Sequence, residues 1–155
     1  MSKYVPVDLQ REVRALFEDC CAYCHTAERL TVVTFELEHI VPRASGGETA
    51  FENLCLACPT CNRHKADRIM ARDELSDREV RLFHPQRDGW PVHFAWVEGA
   101  TVIAGLTAIG RATIAALRMN RSQLVRIRRM WVAMGEHPPG MDGGPWDASD
   151  SEGDR

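Results

Sequence analysis

The sequence predicts an α+β fold, and three observations predict it. Apolar residues recur at helical spacing near the N-terminus and again after residue 107, while two segments alternate as short strands do. The six cysteines fall in two groups, Cys20, Cys21 and Cys24, then Cys55, Cys58 and Cys61, each holding a Cys-x2-Cys pair. A chain of 155 residues has room for one domain with a modest core. Its 45% apolar and 26% charged residues place it with soluble globular proteins, and no apolar run is long enough to cross a bilayer.

Each element has its own signal. Asp8 is placed to cap a first helix, in which Leu9, Val13, Leu16 and Phe17 share a face. Residues 32–38 read as a strand, with Val33, Phe35 and Leu37 on one side and Thr34 and Glu36 on the other. Pro42 and Gly46-Gly47 end it in a loop, and a short segment at residues 53–56 leads into the second cysteine pair. Residues 62–65 are expected to open a helix. Residues 92–96 and 101–106 flank Glu98-Gly99-Ala100 as a hairpin. Thr107 caps a helix reaching about Asn120, and a last helix over residues 122–134 turns Leu124, Ile127, Trp131 and Met134 to one side. This divides the chain into an N-terminal helix (1–19), a core (20–68), an extension packed on it (69–135) and an acidic tail (136–155).

The N-terminus lacks the apolar stretch of a signal peptide, so the expected compartment is the cytoplasm, where thiols stay reduced. There, paired cysteines read as metal ligands. Two tight turns, Cys21/Cys24 and Cys58/Cys61, each present two thiolates, as a tetrahedral zinc requires. Such a site has no open position, so its zinc is structural. Cys20 can replace Cys21 only through a longer Cys-x3-Cys turn, and Cys55 reads as a small core residue. The 33 residues between the pairs exceed the usual zinc-finger spacing, so the insert is where chemistry is expected.

That insert carries Glu38-His39-Ile40-Val41-Pro42, Gly46-Gly47 and Asn53-Leu54 before Cys58-Pro59-Thr60-Cys61-Asn62-Arg63-His64-Lys65. Over residues 20–68 the chain resembles the HNH endonuclease family. The stretch from Leu82-Phe83-His84-Pro85 to His93-Phe94, with Gly105-Leu106-Thr107 and Gly110-Arg111-Ala112-Thr113, looks like the C-terminal part of small stand-alone members. The resemblance implies a ββα-metal core that hydrolyses phosphodiester bonds in DNA, leaving a 5′-phosphate and a 3′-hydroxyl. It implies His39 as general base, Glu38 and Asn62 as ligands of one catalytic Mg²⁺ or Mn²⁺, and Asn53 as the residue fixing the loop that orients the base. Glu38 stands where the family usually has Asp, and Asn62 where many members have His, which makes this an H-N-N variant.

The chemistry agrees with those roles. Phosphodiester hydrolysis needs an activated water and a cation to offset charge on the phosphate. An imidazole takes a proton near neutral pH, and carboxylate and amide oxygens suit a hard cation.

Charge is segregated. The net −3 is dominated by the tail, since residues 1–135 sum to +2. A four-thiolate zinc would bring that body near neutral. Between Glu98 and Glu136 there are six arginines and no acid. Arg43, Lys65, Arg111, Arg118, Arg126 and Arg129 are candidate nucleic-acid contacts, with a plain solvated helix face as the equal alternative for the helical ones. His64 reads as a solvated helix position, with reach to the metal or a phosphate as the alternative, His25 as a neighbour of the zinc ligands, and His84, His93 and Arg87 as residues outside the core with an optional auxiliary role. Two other classes of function stay open: a zinc-stapled nucleic-acid-binding module without catalysis, and a protein-interaction domain. No dimer signature is visible, so the oligomeric state is open.

Overall fold

The computed structural model describes residues 4–139. The chain runs through helix α1 (Val7–Leu16), strands β1 (Glu36–His39) and β2 (Leu54–Ala57), and helix α2 (Pro59–Lys65). The hairpin β3 (Met70–Asp73) and β4 (Arg78–Arg81) follows. After it come a single helical turn α3 (Trp90–His93), the hairpin β5 (Phe94–Val97) and β6 (Val102–Gly105), and helices α4 (Ala108–Leu117) and α5 (Ser122–Ala133). Among the described residues the strands form three separate two-stranded antiparallel sheets. A two-stranded sheet is marginal in water, so each leans on a helix or a side-chain clamp. Among the described residues, no helix is long and apolar enough to cross a membrane.

The first strand begins later than its alternation predicts. β1 starts at Glu36, and Val32 and Val33 are exposed. Two side chains take the backbone of Phe35 out of the ladder. Glu28 Oε2 accepts from Phe35 N at 2.6 Å, and Arg14 Nη2 donates to Phe35 O at 3.1 Å. Of the predicted core face Phe35 is buried and Leu37 packs half-covered against the core, while inside the strand the buried residues are Glu38 and His39. A strand that buries its acid and its histidine is shaped by a site rather than by a core.

Other boundaries shift for local reasons. α1 is preceded by Pro6, not capped by Asp8, which sits exposed in the first turn. α2 closes with residues 62–65 instead of opening there, because Cys58 is its N-cap and Pro59 fills the first turn. Val92 belongs to α3, leaving the strand to begin at Phe94. Thr107 does cap α4, its Oγ1 accepting from Gly110 N at 3.0 Å, but the helix stops at Leu117, where Arg118 turns left-handed. Met134 ends up exposed beyond α5, while Leu124 and Trp131 are buried as expected.

Two features had no sequence signal. The β3–β4 hairpin is tied to α4 by Asp73, which is buried and accepts from Arg111 Nε and Nη2 at 2.9 Å each. Arg111 holds the Asp73 carboxyl below the usual carboxylate range. Arg128, inside the expected basic helix, is fully buried. It donates to Thr101 O, Asn120 Oδ1 and Met119 O and lies 5.1 Å from the Trp96 ring.

The extension clamps onto the 20–68 segment through Trp90, whose Nε1 donates to Tyr23 O at 3.0 Å and whose ring stacks on His25 at 4.0 Å. Glu136 pairs with Arg29 at 2.8 Å and His137 is buried, so packing continues two residues into the expected tail. Residues 140–155 lie outside the described residues.

Candidate metal centre and HNH-type site

The four predicted zinc ligands converge. Cys21 and Cys24 sit on a turn closed by Cys21 N donating to Thr26 O at 2.8 Å and His25 N donating to Cys21 O at 3.0 Å. His25 takes φ +60° there, and Cys58 and Cys61 come from the N-cap and first turn of α2. The four Sγ atoms lie within 4.8 Å of one another, and Cys24 and Cys58 are 3.8 Å apart. Tetrahedral zinc with Zn–S bonds of about 2.3 Å needs sulfurs roughly 3.8 Å apart, so the donors fit that ion.

The other two thiols stay outside. Cys20 Sγ turns to Glu18 O and burial pushes its thiol up to about 11. Cys55 lies 3.8 Å from the Tyr23 hydroxyl, and burial, helped by Glu38, pushes it up to about 12. Arg121 Nη2 reaches Cys58 Sγ at 3.9 Å, placing a cation against a thiolate set that carries net negative charge around zinc. No sequence pattern singled out Arg121 for this position.

Glu38 and His39 end β1, and α2 packs beside that strand. The Glu38 carboxylate is nearly covered. Its Oε1 accepts from Lys65 Nζ at 3.1 Å, and the same ammonium donates to His39 O at 3.2 Å. Lys65 is therefore buried and ion-paired, not an exposed phosphate contact. His39 Nε2 lies 2.8 Å from Oγ1 of the exposed Thr49. Asn62 bonds Glu36, which shares the α2-facing side of β1 with Glu38. Thr49 and Glu36 were not marked by the sequence, although Glu36 stands two residues from Glu38, the spacing of one strand face.

Asn53 staples the loop that follows β1. Its Oδ1 accepts from Val41 N at 2.9 Å, and its Nδ2 donates to Val41 O at 3.0 Å and Glu48 O at 2.8 Å. Gly47 is packed so closely that a Cβ would lie 1.8 Å from Val41 O and 2.8 Å from Asn53 Nδ2. Asn53→Ala removes three hydrogen bonds and is expected to cost about 2–4 kcal/mol, at roughly 1 kcal/mol each. Gly47→Ala forces the backbones apart. Urea melts of both variants check this, and an unchanged midpoint for Gly47→Ala would refute the close approach.

Of the remaining candidates, Arg43, Arg87, Arg118, Arg126 and Arg129 are exposed. Arg111 is committed to Asp73, which removes it from the candidate contacts. His93 is buried with its Nδ1 2.6 Å from Thr107 Oγ1, a structural placement at the α4 cap. His64 is half-exposed on α2, and burial and then the charges of Arg118, Arg63, Arg121 and Arg68 lower its pKa.

A pair of strands, a following helix, a histidine at the strand end and an asparagine-stapled loop define a ββα-type site. Residues 21–68 match the model of the family described as HNH endonuclease, so this segment, just under a third of the chain, is an HNH-type domain. Comparison with curated proteins and with solved structures gave no match.

Proposed function

We propose that the protein is a metal-dependent HNH endonuclease hydrolysing phosphodiester bonds in DNA in the cytoplasm. The observation that carries this reading is the loop stapled by Asn53 directly after a histidine whose Nε2 faces an exposed hydroxyl, within the segment that matches the HNH family. In this reading Nε2 of His39 accepts the proton of a water arriving on the Thr49 side. Thr49 Oγ1 sits on that same nitrogen and holds the ring until the water takes its place there. Asn53 and Gly47 keep the 41–48 loop from drifting over that face.

A divalent Mg²⁺ or Mn²⁺ would be held by the Glu38 carboxylate and the Asn62 amide oxygen, donors of the type such ions take. When bound it would offset charge on the phosphate. The structural zinc keeps α2, and with it Asn62, against β1. The test is a panel of supercoiled, linear and single-stranded DNA and RNA with Mg²⁺, Mn²⁺, Zn²⁺ and EDTA. DNA cleavage by the zinc-loaded protein that requires added Mg²⁺ or Mn²⁺ is the expected result, and no cleavage under any condition refutes it.

One observation favours a second reading, a nucleic-acid-binding module without catalysis: the cation on Glu38 in this structure is the Lys65 ammonium. The two readings separate on Lys65→Met. Removing one partner of a buried ion pair costs about 3–5 kcal/mol. If Glu38 takes a divalent ion, Mn²⁺ raises the melting temperature of Lys65→Met more than that of the wild type. Equal shifts favour the inactive module.

A further inference from the structure

The segment between β4 and α3 is strapped onto the HNH-type domain. Gln86 Nε2 donates to Phe51 O at 2.6 Å and Leu54 O at 2.7 Å, while on the extension side Phe83 N donates to Thr113 Oγ1 of α4 at 3.0 Å. The strap is also folded internally. His84 N donates to Asp88 Oδ2 at 2.8 Å, while Gln86 N and Arg87 N donate to His84 Nδ1 at 3.2 and 3.1 Å. Two amide donors on Nδ1 place the ring proton on Nε2. Burial, then the charge of Arg87, lowers the pKa of this imidazole and keeps it neutral.

Strap and domain enclose a cleft of about 450 Å³, whose lining includes Ile40, Val41, Lys65, Arg68, His84 and Arg87. Ile40 and Val41 are the two residues after His39, so the cleft adjoins the candidate site. Its charge balance is lopsided. Lys65 is neutralised by Glu38, and Arg81 by Asp88 at 2.6 Å. Arg68 and Arg87 are exposed, and among the described residues neither forms an ion pair. The positive surface continues from Arg68 to Arg63 on α2 and Arg118 at the end of α4, arginines whose charges bear on His64.

We propose that this cleft is a backbone-phosphate subsite for DNA, in which Arg87 and Arg68 act as positioning residues for the strand flanking the reacting bond. Two unpaired guanidiniums lining one cleft, Arg87 from the strap and Arg68 from the domain, suit two phosphates of one strand, and guanidinium–phosphate contact is the bidentate kind that fixes register. His84 and Gln86 serve the subsite by making the strap rigid, so that Arg87 is presented from a fixed turn. This places the substrate path between the domain and its extension, across α2, and not on α5, where Arg126 and Arg129 lie. The inference rests on the nuclease reading for which bond reacts, but phosphate binding is measurable without turnover.

The test uses the full chain carrying His39→Ala, in buffer without added divalent cation, with a short fluorescein-labelled DNA duplex and the corresponding single strand, titrated by anisotropy at several salt concentrations. Each phosphate contact contributes about 0.7–0.9 to the slope of log K against log salt. Arg68→Ala with Arg87→Ala is therefore expected to lower that slope by about 1.5 and to weaken binding roughly tenfold at low salt. Arg126→Ala with Arg129→Ala should leave the slope unchanged. An unaltered slope in the first pair, loss in the second pair instead, or no DNA binding by the parent protein overturns the subsite. In the chain with His39 intact, Arg87→Ala should raise KM with little change in kcat, whereas equal loss in both rejects a positioning role. If the wild type cuts nothing while the slope still falls, the nuclease reading fails and the subsite stands.

Discussion

Stripping zinc from the four-cysteine site is expected to unfold the protein, not merely to loosen one end of it. The β1–β2 pair is four residues long, and the turn carrying Cys21 and Cys24 reaches it through single backbone bonds such as Ala22 N to Leu56 O at 2.7 Å. The knuckle thus joins three pieces, the turn after α1, the β1–β2 pair and α2, none of which is stable alone. Without an ion, burial holds the Cys21 thiol well above its usual pKa, and the packed sulfurs lose the bonds that justify their approach. Structural zinc contributes about 10 kcal/mol or more in small domains, comparable with the whole 5–15 kcal/mol stability of a typical one. Cys58→Ser or Cys61→Ser should therefore yield a chain with little helical circular dichroism at 25 °C. Elemental analysis should give about one zinc per wild-type chain, as four thiolate ligands imply. Cys55→Ala is the contrast: it should keep its zinc and lose only about 1–2 kcal/mol, the usual range for a small core truncation. A Cys61→Ser chain that melts like the wild type would refute the structural role of the metal.

The parts of the molecule legible in the sequence are those where chemistry restricts residue type. Two Cys-x2-Cys turns admit few arrangements, and the structure brings all four sulfurs together. Thr107 is legible because a cap needs a hydroxyl before an apolar periodic run, and the hairpin because a glycine-containing turn, Glu98-Gly99-Ala100, separates two strand-like runs. The alternation from residue 32 does not make a strand there, because alternation reports burial only when the ladder is intact. Here the side chains of Glu28 and Arg14 capture the Phe35 backbone first, from positions 7 and 21 residues away in the chain. The same non-locality hid β3–β4, which is exposed on most positions and held by Asp73 to Arg111, 38 residues on.

Counting arginines had similar limits. Charge in the sequence does not say which cations are already paired. Lys65, Arg111 and Arg128 are committed inside the fold, and the unpaired guanidiniums at the cleft are Arg68 and Arg87, which belong to no basic run. At the candidate site the motif gave Glu38, His39, Asn53 and Asn62 by type and order, whereas Thr49 and Glu36 act through distance, which a single sequence does not contain.

His39→Ala is expected to abolish most cleavage while leaving DNA affinity within about twofold. General-base catalysis contributes about 10²–10⁴ in rate, so the loss should fall in that range. Affinity should hold because the guanidiniums of the proposed phosphate subsite, Arg68 and Arg87, are on other elements. His39 is buried beside Leu54, so an alanine there also leaves a cavity, and lost rate alone would not separate chemistry from damage. His39→Asn resolves this. An asparagine fills much of the space, although its amide stops short of the Thr49 hydroxyl, and it takes no proton at neutral pH. It should melt within a few degrees of wild type and still lose the rate. Thr49→Val removes the hydroxyl that orients Nε2 and keeps the shape of the side chain, so it should sit between wild type and His39→Asn in kcat. Thr49→Ser should restore most of the rate. If His39→Asn folds and cuts as fast as wild type, the proton is taken elsewhere and the general-base assignment is wrong. If Thr49→Val alone is silent, the base stands but the hydroxyl does not orient it.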